Sequence, residues 1–372
     1  MKITKVEAIE LRLPEDQIEY KPTGTNDTLI IKIHTDEGII GIGEVESSPR
    51  MAKAVVEAPF SNSVTSGLSR LLVGMNPLDI EVINEKMYQE TFYVGRRGLV
   101  LHAIGGVDIA LWDIAGKYYN KPVYQLLGGA YRKKIRVYAS DLFGKDGEET
   151  YQKAKRWKEA GFTAVKFGWS PIGQSEQLDL ELVAGARRGM GNDGDVMVDA
   201  GCCWDVKTAK RRCQQFEQFN LAWLEEPLAQ DNLDGYHELS AVSNIPIAAG
   251  EGEAGIFAYK DLITRGNLDV VQVDIAKNGL SVARKVGDLA ELYHKHVCNH
   301  FYSTPIDLAV SMHWIASRKS ATIMEYCVED TAMRHKLINE CYEPVDGYIN
   351  VPDKPGLGIT LNDDIVERYR VK

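Results

Sequence analysis

The sequence predicts an α/β chain: an eight-stranded (β/α)8 barrel preceded by a smaller N-terminal domain. Three observations carry that prediction. A hairpin pattern lies near the start, a helical period runs through residues 51–120, and eight short apolar segments alternate with helix-length stretches beyond residue 130.

Thr28–His34 and Ile39–Glu44 read as strands around the turn Thr35-Asp36-Glu37-Gly38. Gly41 and Gly43 resemble the opening of a dinucleotide fingerprint. No third glycine and no helix follow, so a Rossmann reading is rejected. Val100, Ile104, Val107, Leu111 and Ile114 step by four and three residues and share one helix face. Pro122 stops that helix and Gly128-Gly129 marks a loop, which puts a domain boundary near residues 125–135. The candidate barrel strands are Ile135–Ala139, Thr163–Phe167, Asp195–Asp199, Leu221–Glu225, Ile245–Ala249, Asp269–Val273, Val297–His300 and Ala321–Glu325. Parallel strands need crossover helices, and eight of them can close on themselves. The last forty or so residues carry Pro344, Pro352 and Pro355 and read as a loop-rich segment packing back on the N-terminal domain.

Composition narrows the function classes. The 372 residues are 44% apolar and 26% charged, which is enough to bury a large core. A net charge of −10 and the lack of any basic run beyond Arg132-Lys133-Lys134 argue against nucleic-acid binding. No secretory leader and no stretch of about 18 apolar residues is expected, so no membrane association follows. Six scattered cysteines, with no CxxC pair, suit a reduced, cytoplasmic chain without a thiolate metal site.

What terminates the strands is the informative feature. Asp199, Glu225, Glu251, Asp274, His300 and Glu325 are separated by 26, 26, 23, 26 and 25 residues. That is about one βα unit each, so all six fall at the C-terminal rim, where barrel enzymes hold their chemistry. A lone Asp after a strand commonly caps the next helix, and a lone buried His is commonly structural. Such independent roles give no reason for six ionisable groups to recur in register. Converging carboxylates in a low-dielectric mouth repel unless a cation compensates them. Oxygen-only ligation suits Mg²⁺ before Mn²⁺ or Ca²⁺.

Asp199, Glu225 with Glu226-Pro227, and Glu251 after Ala248-Ala249-Gly250 resemble the three metal ligands of the enolase superfamily. Asp274 and His300 resemble the Asp–His dyad of its mandelate racemase subgroup, and Glu325 resembles that subgroup's eighth-strand electrophile. Asp108-Ile-Ala-Leu-Trp-Asp-Ile-Ala-Gly116 with Leu126-Leu-Gly-Gly129 is similar to its junction between capping domain and barrel. The resemblance implies a modified TIM-like (β/α)8 barrel (residues 129–330) under an N-terminal α+β capping domain (1–128), completed by a C-terminal segment (331–372). It also implies Mg²⁺, abstraction of a proton α to a carboxylate, and a homo-oligomer (dimer or octamer). In that chemistry an ene-diolate forms and its charge needs stabilising. His300, oriented by Asp274, is the expected base; Lys166 is the expected added cation and substrate contact. Glu325 is the expected hydrogen-bond donor, on condition that it stays protonated.

The departures decide the reaction. Relatives of this kind carry Lys-x-Lys on the second barrel strand, and here the second position is Gly168. A racemase or epimerase needs acid/base groups on both faces of the α-carbon, which leaves only Lys166, Tyr20 or Tyr93 to serve the second face. One histidine suffices for dehydration of a sugar acid, aldonate or aldarate, to a 2-keto-3-deoxy acid. Cycloisomerases are disfavoured, because that branch carries a lysine where this chain has Asp274; Lys277 reads as a solvated loop residue. Gly201 removes a substrate contact that relatives place there, and Trp204 is a candidate pocket wall. Specificity is expected from loops around Pro14–Asn26 and Tyr93–Arg97, where Arg96 or Arg97 would clamp a distal carboxylate or simply form surface ion pairs. A non-catalytic metal-binding homologue is the remaining alternative.

Overall fold

The computed structural model describes residues 1–18 and 25–372. Strands β1 (Ile3–Arg12), β2 (Asp27–Thr35) and β3 (Ile40–Val45) form an antiparallel sheet in that order. β2 and β3 pair from Leu29 opposite Val45 to His34 opposite Ile40, around the anticipated turn. β1, with no clean alternation to mark it, was not among the anticipated strands.

Gly41 and Gly43 have a packing role. A Cβ on Gly43 would lie 2.0 Å from the carbonyl oxygen of Gly106, and one on Gly41 2.1 Å from that of Ala110. β3 therefore rests directly on the helix Leu99–Tyr118, and only glycine permits that approach. This helix corrects an expectation. It is long and apolar enough to cross a membrane, but 89% of its apolar window is buried inside the protein. It is apolar all round because it lies between β3 and the helix Ile275–Leu292.

Its two aspartates are satisfied across domain junctions. Asp108 accepts hydrogen bonds from the Ser281 N–H (2.8 Å) and hydroxyl (2.6 Å). Asp113 accepts from the N–H groups of Ile42 and Leu357, both at 2.9 Å. Between them they tie the helix to the barrel, the sheet and the C-terminal segment. Glu44, at the end of β3, is a further joint: it accepts from the hydroxyls of Thr28, Ser303 and Thr304 and from the Asp307 N–H.

The barrel strands are β4 (Lys134–Leu142), β5 (Ala164–Gly168), β6 (Asp195–Asp199), β7 (Trp223–Glu225), β8 (Ile247–Ala249), β9 (Val270–Asp274), β10 (His296–His300) and β11 (Ile323–Cys327). All eight anticipated strands are present and parallel, in the order β10-β9-β8-β7-β6-β5-β4-β11. Among the described residues no backbone ladder joins β10 to β11. Side chains close that seam: Asn299 Oδ1 accepts from the Glu325 N–H (2.9 Å), and Glu325 Oε2 accepts from the Phe301 N–H (2.7 Å).

The C-terminal segment divides its contacts. β12 (Tyr348–Asn350) pairs antiparallel with β4 of the barrel, whereas Arg370 bridges to Leu11 and Val371 donates to the Glu10 carbonyl on β1. His313 helps hold this segment. Its Nδ1 accepts from the Tyr124 N–H (3.3 Å) and its Nε2–H donates to the Leu357 carbonyl (3.1 Å), which requires a neutral ring. Burial pushes its pKa down to about 4. The unfolded chain therefore binds more protons between pH 6.5 and 4, and stability falls as the pH drops through that window. The loss for this group is about 3 kcal/mol. Melting temperature against pH should flatten across this window in His313→Gln; an unchanged slope would contradict the assignment.

Candidate active site

The carboxylates of Asp199, Glu225 and Glu251 are buried, and one oxygen of each lies within 4.8 Å of the others. Asp199 and Glu225 end β6 and β7 and are partners in register. Glu251 sits in the turn after β8 rather than on a strand, and reaches the group from there. Burial, and then the charges of Glu225 and Glu251, raises Asp199 well above the carboxylate range. Burial pushes Glu251 up to about 8, opposed chiefly by His300. Three desolvated acids facing one point are unfavourable as a set of anions, and an oxygen-only donor set of this kind fits a hard divalent cation such as Mg²⁺.

Lys166 supplies the protein's own countercharge. Its ammonium lies 2.6 Å from Glu225 Oε1 and 2.7 Å from Glu325 Oε1, buried in the barrel. Burial works against that charge, yet the surrounding carboxylates hold its pKa well above the ordinary lysine value. The other oxygen of Glu225 accepts from the Trp223 indole N–H at 3.0 Å. Trp223 precedes Glu225 by two residues, so both side chains point into the barrel.

The condition set for Glu325 as a hydrogen-bond donor, a raised pKa, is not what its surroundings favour. Glu325 pairs with Lys166 and accepts a backbone N–H, and despite its burial these partners hold its carboxyl below the ordinary value. It lies in the middle of β11 rather than at its end and acts on the site through Lys166, not by donating a hydrogen bond.

Asp274 performs two tasks. Oδ1 accepts from the Lys277 N–H (2.8 Å) and caps the helix Ile275–Leu292, while Oδ2 accepts from His300 Nδ1–H (2.7 Å). The dyad and the capping role coexist because a carboxylate has two oxygens. With Nδ1 committed, Nε2 is the nitrogen left to exchange a proton; it faces Glu251 Oε2 at 3.4 Å. Although burial disfavours the imidazolium, Glu251 and Asp274 hold the His300 pKa well above the ordinary value.

Lys166, Asp199, Glu251 and His300 open onto one cavity of about 350 Å³. Lys277, read from sequence as a solvated loop residue, also lines it. Its ammonium lies 3.1 Å from both Asp274 Oδ2 and Glu46 Oε1. The signal for its position was its place three residues after a helix cap, which puts it on the same side as the cap. Glu46, just past β3, brings the N-terminal domain into the cavity wall, and Trp169 and Tyr302 complete it.

Four expected substrate contacts are not brought to the cavity. Trp204 is buried against Phe216 and near Arg212, packed on the following helix. Tyr93 is 74% exposed and packs on Phe92. Arg96 and Arg97 line a separate groove beside Leu101 and Phe257. Tyr20 lies outside the described residues.

Gly168 is required by Asp199. A Cβ at 168 would lie 2.7 Å from Asp199 Cβ and 2.9 Å from its Oδ2. Gly168→Ala is therefore expected to displace this carboxylate and weaken Mg²⁺ binding by roughly 10–100-fold, read by calorimetry. Unchanged affinity would mean that Asp199 does not hold the ion.

Residues 3–128 match the mandelate racemase/muconate lactonizing enzyme N-terminal domain, and residues 149–365 match the enolase C-terminal domain-like family. The chain belongs to the enolase superfamily, in its mandelate racemase branch. It is 31% identical over 357 residues to a D-galactarolactone cycloisomerase of Agrobacterium fabrum, covering 92% of this chain and 91% of the relative. It is 30% identical over 371 residues to a D-xylonate dehydratase of Haloferax volcanii (94% and 87% covered). An arabinonate dehydratase of Saccharolobus solfataricus is 31% identical over 346 residues (92% and 90%). The crystal structure of a 3,6-anhydro-D-galactonate cycloisomerase from Zobellia galactanivorans superposes with a TM-score of 0.90 at 29% identity, covering all of both chains. Two of these relatives are named as cycloisomerases and two as sugar-acid dehydratases.

Proposed function

We propose that the protein is a Mg²⁺-dependent sugar-acid dehydratase, in which His300 removes the proton α to the carboxylate of an aldonate or aldarate and water leaves from C3. The observation that carries this reading is the one-sided acid/base arrangement. His300 Nε2 faces the carboxylate group, while Gly168 places no side chain on the other side.

A cation held by Asp199, Glu225 and Glu251 supplies, when bound, positive charge where negative charge develops on the substrate carboxylate. Asp274 keeps the His300 ring in the tautomer that can accept at Nε2. The C2–H bond breaks with its proton passing to Nε2, and its electron pair enters the ene-diolate. The same proton returns from the imidazolium to the 3-hydroxyl as the C3–O bond breaks, so one water leaves and an enol remains, which tautomerises to the 2-keto-3-deoxy acid. Lys166 adds a fixed cation beside Glu225, and Glu325 positions it.

The cycloisomerase relatives support a variant of the same step, in which a ring oxygen of the substrate is the leaving group. Racemisation would need an acid/base on the face opposite His300; Gly168 offers none, and the neighbouring Lys166 is already shared by two carboxylates.

The test is a panel of aldonates and aldarates incubated with the protein and Mg²⁺ in D₂O. Deuterium at the α-carbon together with 2-keto acid formation is the expected result. Binding without exchange would favour a non-catalytic homologue, and exchange with epimer formation but no loss of water would favour a racemase.

A further inference from the structure

Trp169 follows Gly168 at the end of β5 and stands on the cavity wall, 41% exposed. Its φ is +64°, in the left-handed region that bulky residues rarely occupy. Such a conformation persists where the surroundings impose it, often at working sites. Here the Trp169 N–H donates to the Asp199 carbonyl (3.2 Å), and its own carbonyl accepts from the Ile172 N–H (3.3 Å). The ring lies over Gly201, where a Cβ would come within 3.4 Å of the indole. Trp157, Trp204 and Trp223 each pack on another ring. Among the described residues Trp169 has no such partner, and it lines the cavity.

Its place in the barrel gives this face a direction. In the eight-strand order β5 and β9 are four strands apart, and so lie across the barrel from each other. Asp274 ends β9 and His300 ends the adjacent β10. The indole therefore stands across the mouth from the base, with Asp199, Glu225 and Glu251 in the arc between. The charged residues Glu46 and Lys277 belong to the far wall.

We propose that Trp169 is a specificity-determining platform, which receives the C–H face of the substrate opposite His300 and thereby selects sugar acids in ring form. The inference rests on the sugar-acid reading above and narrows it to acids that keep a free carboxylate on a closed ring, as an aldarate monolactone does and an open-chain aldonate does not. A furanose or pyranose ring offers a continuous patch of C–H groups that can be desolvated against an indole while its hydroxyls point outward. An open-chain polyol turns hydroxyls to both sides, and laying it on the ring would bury some of them without partners.

Binding, which needs no turnover, tests this. Full-length protein carrying His300→Asn and loaded with Mg²⁺ is titrated by calorimetry with two pyranose acids, glucuronate and galacturonate. Two open-chain acids with the same number of carbons, gluconate and galactonate, serve as comparison. The ring acids should bind more tightly. Adding Trp169→Ala should weaken them about tenfold and change the open-chain acids less than about twofold, while Trp169→Phe keeps most of the ring preference. Equal weakening of both classes, no change in either, or no binding of ring acids would overturn the proposal. Failure of the dehydratase reading shows separately, as absent α-proton exchange in the protein with His300 intact, and leaves Trp169-dependent binding in place.

Discussion

His300→Asn is expected to abolish the proposed dehydration, lowering kcat by roughly 10²–10⁴-fold, the usual contribution of a positioned general base. Asparagine is the informative substitution because its amide N–H can still donate to Asp274, so the capped helix and the neighbouring Lys277 contact need not move. What disappears is a group that takes a proton at the Nε2 position. Mg²⁺ affinity should stay within about twofold of the parent, since His300 touches only one member of the carboxylate group, at 3.4 Å. Steady-state kinetics and a calorimetric Mg²⁺ titration check both halves. Full activity in the variant would refute the assigned base, and lost Mg²⁺ binding would mean that His300 serves the ion rather than the proton.

Lys166→Met removes activity and also destabilises the fold by about 3–5 kcal/mol in Mg²⁺-free buffer, because breaking a buried ion pair strands the charges that remain. Here two carboxylates are stranded: Glu225 and Glu325 each lose a partner within 2.7 Å, and neither is exposed to solvent. Methionine nearly matches the volume of lysine, so the loss reports charge rather than a cavity. Glu325 also bridges the β10–β11 seam through the Phe301 N–H, so its relaxation would loosen the joint that side chains alone close. Added Mg²⁺ should recover part of the loss by compensating Glu225. Thermal melts with and without the ion test this. A variant as stable as its parent without Mg²⁺ would show that the lysine–carboxylate contacts carry little of the site's stability.

The meeting of the site's acids and the histidine at one rim was legible before any coordinates. A parallel barrel repeats one βα unit at a nearly constant residue spacing, so residues that end successive strands must meet at one rim. Asp199, Glu225, Asp274 and His300 meet there for that reason, and Glu251 arrives one turn later. The eight strands were legible for a related reason: short runs buried on both faces and spaced by helices have few other ways to pack.

Other features depend on which side chains meet across elements distant in the chain, and no local pattern encodes that. The charge that faces Glu325 comes from Lys166, on a strand about 160 residues earlier and 2.7 Å from it. Lys277 became a cavity residue because Glu46, from the other domain, offered it a second carboxylate. Trp204 packs against Phe216 on the following helix rather than on the cavity wall, whereas Trp169, which the sequence had not singled out, lines the cavity beside Gly201. The sequence by itself determined the barrel, the order of its acids and the position of the histidine, through spacing and periodicity. Only the tertiary structure decided which charges pair across the site, the far wall and the place of Trp169 beside it, because those are set by close packing between residues the chain keeps far apart.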